Sequence, residues 1–165
     1  MFEVKATDLA GRIGRLKTKS GILETPALLP VVHPTRQEVP PENIRKLGFD
    51  AVMTNAYLAL KNRGENIRKK GIHRTIEFDG VVMTDSGGYQ VLEYGDVDVS
   101  VESMALFQEE IGSDIAVVLD MPTGSQASRR YAEQTVSETL KAAKKTLEVK
   151  SRSGVLWTGP IQGGA

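Results

Sequence analysis

The sequence predicts an α/β protein, in particular an incomplete (β/α)8 TIM barrel that follows an N-terminal β-hairpin. Short apolar, β-branched runs alternate with helical segments, and such alternation requires parallel strands joined by right-handed crossovers. The predicted strands end at residues 55, 85, 120 and 162, so each step has the length of one βα unit. The chain has 165 residues, whereas a whole barrel takes roughly 250. We therefore expect only the first strands of a barrel, about five, in the N-terminal part of a longer protein.

Residues 1–26 are expected to form the N-terminal β-hairpin region. Apolar and polar side chains alternate along its strands, as they do where one face is buried. The expected strands are 2–7, 12–18 and 22–25. Pro26 ends the region because proline has no backbone N–H. The apolar run Ala27–Val32 then predicts a strand covered on both faces, and residues 27–165 are expected to form the N-terminal part of a catalytic barrel.

Residues with known capping preferences bound the predicted helices. Proline in the first turn and glycine after the last turn frame a short helix between Pro40 and Gly48, and Ser100 and Ser128 are expected N-caps. The other expected helices are 56–70, with a break near Gly64, then 101–111 and 129–150. In the last of them, the apolar residues that recur at helical spacing and predict its buried face are Val136, Leu140, Ala143 and Leu147.

Each predicted parallel strand is followed by a polar residue. The strands are 50–54, 81–84, 114–119 and 155–161, and the polar residues are Asn55, Asp85, Asp120 and Gln162. In a barrel the C-terminal strand ends converge on one face, where catalytic groups gather. An open, doubly wound sheet also binds ligands at strand ends and is the alternative. The sequence has no Gly-x-Gly-x-x-Gly turn, and its polar residues recur at successive strands instead of at one switch point, which favours the barrel.

Residues 81–90 combine several chemical groups at one strand end. After Asp85 come Ser86, which offers hydrogen bonds, two glycines, and Tyr89, which offers a flat ring. Glycines such as Gly87 let a planar ligand approach the backbone because no Cβ is in the way. A tight turn with an Asx-type cap and a core tyrosine would use the same residues. On their own these residues leave both interpretations open.

The polar strand ends suit a flat heterocycle such as guanine. A carboxylate accepts two parallel hydrogen bonds, so Asp120 could bind the N1–H and exocyclic amine of guanine, with Gln162 at its carbonyl edge and Tyr89 stacked on the ring. Asp85 would then be free to stabilise the oxocarbenium character that develops when an N-glycosidic bond breaks. Asn55 and Asp120 could also simply cap the segments that follow them.

Composition excludes several classes of site. Lys+Arg and Asp+Glu both total 21, and a zero net charge argues against a dedicated nucleic-acid-binding module. The chain has no cysteine, and its two histidines, His33 and His73, are far apart, so no metal site is expected. No apolar run reaches roughly 18 residues, and the N-terminus lacks a secretory pattern. We therefore expect a cytoplasmic protein without a membrane partner.

Seven motifs, in the right order along nearly the whole chain, resemble those of the tRNA-guanine transglycosylases. Four of them lie at predicted strand ends: Thr54–Leu58, Thr84–Gln90, Leu119–Thr123 and Ile161–Gly164. The other three resemble the archaeal branch specifically: Gly11–Gly14, Glu24–Ala27 and Gly71–Arg74. Residues 121–124 differ slightly from the usual run after the recognition aspartate.

The resemblance implies a (β/α)8 enzyme that exchanges guanine in tRNA for a 7-deazaguanine. In the archaeal branch the incoming base is 7-cyano-7-deazaguanine, inserted in the D-loop on the route to archaeosine. Asp85 matches a catalytic aspartate, described in the family either as nucleophile or as general acid/base. The residues that match the base pocket are Asp120 and Gln162 for recognition, Tyr89 for stacking, and Ser86 and Gly87 for lining. The target nucleotide would have to leave the tRNA stack.

Three parts of the family pattern are missing: a second essential aspartate, a zinc site of three cysteines and a histidine, and C-terminal tRNA-binding domains. The resemblance therefore implies no cofactor in this segment, zinc in the full-length protein, and an isolated segment without activity. It also implies tRNA and guanine or a 7-deazaguanine as partners, and a homodimer at full length. Two alternatives stay open. One is a barrel lyase or aldolase, although no strand ends on lysine, and the other is a non-catalytic half-barrel that binds a purine or a partner chain.

Overall fold

The structure is a computed structural model, and it describes residues 1–90, 98–151 and 154–162, with the side chain of Arg63 excepted. Its first sheet is antiparallel, in the order β1 (Phe2–Asp8), β2 (Gly11–Lys17), β3 (Ile22–Thr25). Its second is parallel, in the order β4 (Ala51–Asn55), β5 (Val81–Asp85), β6 (Ile115–Val117), β7 (Leu156–Thr158). The described helices are α1 (Pro41–Lys46), α2 (Ala56–Lys70), α3 (Ile72–Ile76), α4 (Val101–Glu110) and α5 (Arg129–Val149).

The four parallel strands lie side by side in the order in which they occur along the chain. A doubly wound sheet would reverse its order at a switch point, and the described strands show no such reversal. The prediction of a mixed α/β protein with a parallel sheet is confirmed. The closed barrel, and the boundary between residues 1–26 and 27–165, stay predictions. Gly163 and Gly164 of the last motif lie outside the described residues.

The two faces of the parallel sheet have different neighbours. Val52 and Val82 point to the helices and belong to a buried cluster with residues of α1 to α4. Ala51 and Val81 point the other way and pack against Leu23 of the antiparallel sheet. Since Ala51 and Val81 are the first residues of β4 and β5, the antiparallel sheet covers the amino end of this face. The carboxyl end carries the polar side chains.

The predicted strand over Ala27–Val32 is wrong. Only one isolated bridge forms, between Val31 and Met53, in which Met53 N–H donates to Pro30 O at 2.9 Å and Val32 N–H donates to Met53 O at 2.8 Å. Val31 is 78% exposed, so the segment is not covered on both faces. Proline at position 30 has no N–H, which prevents a longer ladder.

The predicted break in one helix is also wrong, and the structure contains one further helix. Helix α2 continues through Gly64 without a break, because burial of Ala59 and Ile67 on either side outweighs the roughly 1 kcal/mol by which glycine is worse than alanine in a helix. Helix α3 was not predicted, since five residues are too few for a periodic pattern. It packs because Ile72 and Ile76 are both fully buried.

The buried face of α5 differs from the predicted one. The residues that the helix buries are Ala132, Thr135, Thr139 and Thr146. Of the predicted residues, Val136 and Ala143 are half-buried, whereas Leu140 and Leu147 are 57% and 58% exposed. The predicted caps are confirmed, because Ser100 accepts the N–H of Ser103 and Ser128 accepts that of Tyr131. Among the described helices, none combines the length and the apolar character that a bilayer crossing needs.

Candidate functional site at the carboxyl ends of the parallel strands

Asn55 and Asp85 are direct neighbours, because they are register partners at the ends of β4 and β5. Asn55 Oδ1 accepts the N–H of Leu58 at 2.8 Å and thereby caps α2, while Asn55 Nδ2 donates to Asp85 Oδ2 at 2.9 Å. The helix cap and the contact to the acid are therefore two functions of one side chain. Since Asn55 Oδ1 accepts the capping hydrogen bond, the side-chain NH2 group of Asn55 is the part that can face Asp85.

Gln90 completes this arrangement although it was not among the predicted site residues. Its Oε1 accepts a second hydrogen bond from Asn55 Nδ2 at 3.1 Å, and the residue is only 8% exposed. Gln90 therefore fixes the amide of Asn55 from the side opposite the cap. Its place at the end of the same motif as Asp85 was the only signal in the sequence.

The carboxyl group of Asp85 lies in an environment that disfavours its charge. Burial raises the pKa of Asp85, and hydrogen bonds from the backbone of Gly87 and Ser86 and from Asn55 offset this only in part. All of these donors are neutral groups, which stabilise a carboxylate less than a cation does. Asp85 thus retains a proton to a higher pH than an ordinary aspartate.

Asp120 follows β6, and its charge interacts with that of Asp85. Burial raises the pKa of Asp120, and repulsion from Asp85 raises it further, against one hydrogen bond from its own backbone N–H. Two partly buried carboxyl groups from neighbouring strands therefore share one polar end of the sheet. Arrangements that shift the pKa values of neighbouring acids are common at catalytic and binding sites.

The two glycines of the β5 loop are required by contacts within the chain itself. Gly87 has φ = 96°, and a Cβ there would lie 2.5 Å from Cβ of Tyr57. A Cβ on Gly88 would overlap the carboxylate of Asp120 and lie 2.9 Å from its backbone oxygen. Gly88 therefore lets the β5 loop lie directly against Asp120, a contact that the sequence did not predict.

Ser86 and Tyr89 lie on opposite sides of this loop. Ser86 is fully buried, and its hydroxyl donates to Val118 O at 3.0 Å, which joins the ends of β5 and β6 beyond their last paired residues, Thr84 and Ala116. Tyr89 is 65% exposed. The interpretation of Tyr89 as a core residue is therefore wrong, and its ring is accessible to a ligand.

Gln162 reaches the segment behind Asp120. Its Nε2 donates to Met121 O at 2.6 Å, and its Oε1 is buried without a hydrogen-bond partner among the described residues. The chain thus engages one of the two N–H groups of Nε2. The second N–H can still donate to a guanine carbonyl while the bond to Met121 persists.

Behind the strand ends, a buried polar network connects the sheet to α4. Gln108 is fully buried; its Oε1 accepts the Thr84 hydroxyl at 2.7 Å and its Nε2 donates to Val117 O at 3.1 Å. Thr84 immediately precedes Asp85, and Val117 ends β6. Gln108 therefore ties together the two strands that carry the acids.

A cleft of about 560 Å³ lies beside the acids and shares Asn55 with them. Its other lining residues come from 30–39, from α1 and the residues after it, and from α2. His33 lies in its wall, and its Nδ1 accepts the backbone N–H groups of Thr35 and Arg36, both at 3.1 Å. Asp120 and Gln162 do not line this cleft, so the carboxyl pair and the cleft are neighbouring features with Asn55 between them.

The resemblance implies zinc in the full-length protein, and the described residues of this chain do not provide a set of ligands for it. The sequence has no cysteine, and the described residues contain no group of three or more histidine, aspartate or glutamate side chains that could hold a metal. The chemistry considered below therefore uses only side chains and backbone groups of the chain.

Comparisons with known proteins find similar sequences that belong to one family. The family model described as queuine tRNA-ribosyltransferase matches residues 8–165. A tRNA-guanine(15) transglycosylase of Aeropyrum pernix is 49% identical over 164 residues, which is 99% of this chain and 32% of the relative. The enzyme of the same name from Methanopyrus kandleri is 49% identical over 150 residues, or 90% and 33% of the two chains. The enzyme of the same name from Sulfolobus acidocaldarius is 43% identical over 166 residues, which is 99% of this chain and 32% of the relative. The chain spans about a third of the length of these relatives.

Proposed function

The chain belongs to the queuine tRNA-ribosyltransferase family, and on this premise we propose that it supplies the base-exchange site of a tRNA-guanine transglycosylase. The reaction breaks the bond between ribose C1′ and N9 of guanine and forms the same bond to a 7-deazaguanine. The observation that carries the proposal is the pair of partly buried acids, Asp85 and Asp120, on neighbouring strand ends. The proposal includes the (β/α)8 barrel, 7-cyano-7-deazaguanine as the incoming base in the D-loop, a cytoplasmic location and a homodimer.

Asp85 acts on the glycosidic bond. Its carboxylate either attacks C1′ directly or stabilises the positive charge that develops there, and its protonated form can deliver a proton to the leaving base. The raised pKa of Asp85 supports the acid role, because a general acid must hold its proton near the working pH. Asn55 keeps one oxygen of Asp85 in a fixed direction.

Asp120 binds the N1–H and amine edge of the base. Its pKa is raised without a ligand, and two N–H donors from guanine would stabilise the carboxylate form and offset the burial. The charge of Asp120 is thus better accommodated with the base bound than without it. The exposed ring of Tyr89 supports stacking, while Ser86 and Gly87 shape the wall of the pocket through their contacts to Val118 and Tyr57.

The test uses a chimera in which this chain replaces the matching 164 residues of the Aeropyrum pernix relative, so that the other two thirds supply what the chain does not contain. Incorporation of radiolabelled guanine into tRNA is then measured for the chimera and for the chain alone. Asp85→Asn should lower exchange about a thousandfold. The control is Asp79→Asn, an exposed acid before the other end of β5 that pairs with Arg45 and should leave exchange within about twofold.

A folded chimera that exchanges no guanine, or an Asp85→Asn chimera that exchanges it normally, would contradict the proposal. A second candidate is a non-catalytic half that binds a purine, which the partly buried Asp120 and the exposed ring of Tyr89 would also serve. It predicts guanine binding by the chain in calorimetry together with an inactive chimera. A lyase or aldolase activity has no support at the carboxyl ends of the described parallel strands, because none of them carries a lysine.

A further inference from the structure

Helix α5 buries hydroxyl groups where its sequence offers larger apolar side chains. Thr135 is fully buried and Thr139 is 6% exposed, whereas Leu140 and Leu147 are 57% and 58% exposed. A buried hydroxyl group needs a hydrogen-bond partner. The partners of these threonines lie in the segment after Asp120.

Thr139 binds the residue that follows Asp120. Its Oγ1 accepts the N–H of Met121 at 3.0 Å, and the C=O of Met121 accepts Nε2 of Gln162 at 2.6 Å. Both backbone groups of Met121 are thus held by side chains from outside the loop. The N–H that Thr139 accepts belongs to the peptide that joins Asp120 to Met121, so this bond fixes the plane of that peptide.

A second bond holds the same segment two residues further on. Thr135 Oγ1 donates its hydrogen to Ala132 O at 2.8 Å and lies 2.6 Å from Thr123 Oγ1. A hydroxyl has one hydrogen to donate, so Thr123 is the donor to Thr135. Segment 121–123 is therefore attached to α5 at two points one helical turn apart.

The position of Asp120 tolerates little movement. A Cβ on Gly88 would already overlap its carboxylate, so the β5 loop packs tightly on one side, and its charge interacts with that of Asp85. A carboxylate that binds two N–H groups in parallel must also lie in the plane of its ligand. Any rotation of the peptide after Asp120 would change both its direction and its depth.

We propose that Thr139 is a positioning residue for base recognition: by holding the backbone N–H of Met121, it sets the direction of the Asp120 carboxylate. Thr123 acts in the same sense through Thr135. The inference rests on the proposed function, and it adds residues on α5 that touch neither base nor ribose. It also explains why α5 turns its threonines inward.

The test compares variants of the same chimera in guanine exchange. Thr139→Val keeps the shape of the side chain and removes the acceptor, and it should raise KM for guanine about tenfold while kcat stays within about twofold. Thr139→Ser restores the hydroxyl and should restore KM. The matched control is Thr146→Val, since Thr146 is a buried threonine of the same helix whose hydroxyl has no hydrogen-bond partner among the described residues.

Thr123→Val provides a second test that leaves α5 intact, and it should raise KM about threefold. If Thr139→Val fails to fold, this variant decides alone. Unchanged KM in Thr139→Val or Thr123→Val, a KM that Thr139→Ser does not restore, or an equal rise in Thr146→Val would overturn the proposal. A folded wild-type chimera without exchange would instead count against the proposed function, so the two failures are distinguishable.

Discussion

Aspartates at the two ends of the parallel sheet have pKa values that are shifted in opposite directions. At the amino end, Asp114 precedes β6 and is fully buried, yet its pKa is lowered to about 2. At the carboxyl end, Asp85 and Asp120 are only partly buried, yet both have a raised pKa. Within the length of one strand, the charged form of an aspartate is thus favoured at one end of the sheet and disfavoured at the other.

The donors around each carboxylate account for this difference, and the side chain of His73 contributes most at Asp114. Burial alone would raise the pKa of Asp114, but Ser20 N–H at 2.8 Å and His73 Nε2 and Val82 N–H, both at 2.9 Å, point at its two oxygens and outweigh the burial. Among the described residues, only the backbone N–H of Asp120 itself opposes the rise of its pKa. Asp85 accepts from three neutral groups, and they offset its burial only in part. Depth therefore does not decide the charge of these acids, and the strength of their hydrogen-bond partners does.

The largest effect is expected at Asp114, where hydrogen bonds outweigh the burial of the carboxylate. Asp114→Asn places a side-chain NH2 group against N–H groups that donated to the carboxylate, so buried N–H groups lose their acceptor. The substitution should lower the free energy of unfolding by about 3 kcal/mol at pH 7. Urea denaturation followed by circular dichroism measures it. A loss below about 1 kcal/mol would show that the Asp114 contacts do not stabilise the fold.

The same comparison has a pH dependence with a defined sign. The pKa of Asp114 falls from 3.8 to about 2 on folding, so its contribution is present above about pH 4 and is lost as the pH falls toward 2. The shift corresponds to about 2 kcal/mol. The difference in unfolding free energy between wild type and Asp114→Asn should therefore decrease by about 2 kcal/mol between pH 7 and pH 2.

The strand ends were predictable from the sequence, and the donors around them were not. A β-branched run followed by a polar residue located Asn55, Asp85 and the loop around Asp120, because strand periodicity is local. The contact of Ser20 to Asp114 joins residues 94 positions apart. No local pattern contains such a pair. The sequence therefore identifies the acids but does not show which carboxylate has enough hydrogen-bond donors to remain charged.

Gly88→Ala tests how closely the carboxyl end is packed. Alanine favours a helix over glycine by at most about 1 kcal/mol, and residues 88–90 are helical. The overlap with Asp120 should outweigh this, because overpacking costs about 1–3 kcal/mol. We expect a net loss of about 1 kcal/mol in unfolding free energy and a tenfold higher KM for guanine in the chimera. Gly159→Ala, where a Cβ would meet nothing within 4 Å, is the matched control, and equal effects at both positions would refute the packing argument.

The face of α5 shows a second limit of sequence reasoning. Apolar periodicity favoured Val136, Leu140, Ala143 and Leu147 as the buried stripe, because burial of carbon usually determines how a helix rotates. Here Thr135 and Thr139 are the more deeply buried residues, and their hydroxyls have partners in the loop after Asp120. A pattern of hydrophobicity cannot register a hydrogen bond whose partner lies in another segment.

Asp85→Asn should affect stability with the opposite sign to Asp114→Asn. Because folding raises the pKa of Asp85, the folded state binds the proton more tightly, and the favourable contribution is lost as the pH rises through the folded pKa. At pH 7 the charge is therefore unfavourable, and removing it should leave the unfolding free energy equal or higher by about 0.5 kcal/mol. If urea denaturation showed that Asp85→Asn lowers the unfolding free energy by more than about 1 kcal/mol, the charge of Asp85 would stabilise the fold as that of Asp114 does, and the prediction would be wrong.

The smallest expected effect concerns His33, which extends the comparison to a group that titrates nearer neutrality. Its Nδ1 accepts two backbone N–H groups, from Thr35 and Arg36, so the ring is satisfied only while Nδ1 is unprotonated. Burial and then the charge of Arg36 lower the pKa of His33 below 6.5. The contribution of the ring is thus complete above pH 6.5 and is lost as the pH falls through the lowered pKa, and it amounts to about 0.5 kcal/mol.

Amide hydrogen exchange of Thr35 and Arg36 measures this effect, after correction for the intrinsic pH dependence of exchange. Protection of both amides should fall between pH 7.5 and 5 in the wild type. His33→Asn carries an oxygen in place of Nδ1 and does not titrate, so its protection should stay constant over the same range. Parallel behaviour of the two proteins would show that the ring does not hold the loop. A fall confined to the wild type would mean that protonation loosens the wall of the cleft that Asn55 shares with the acids, because the loop loses the acceptor that orders its backbone.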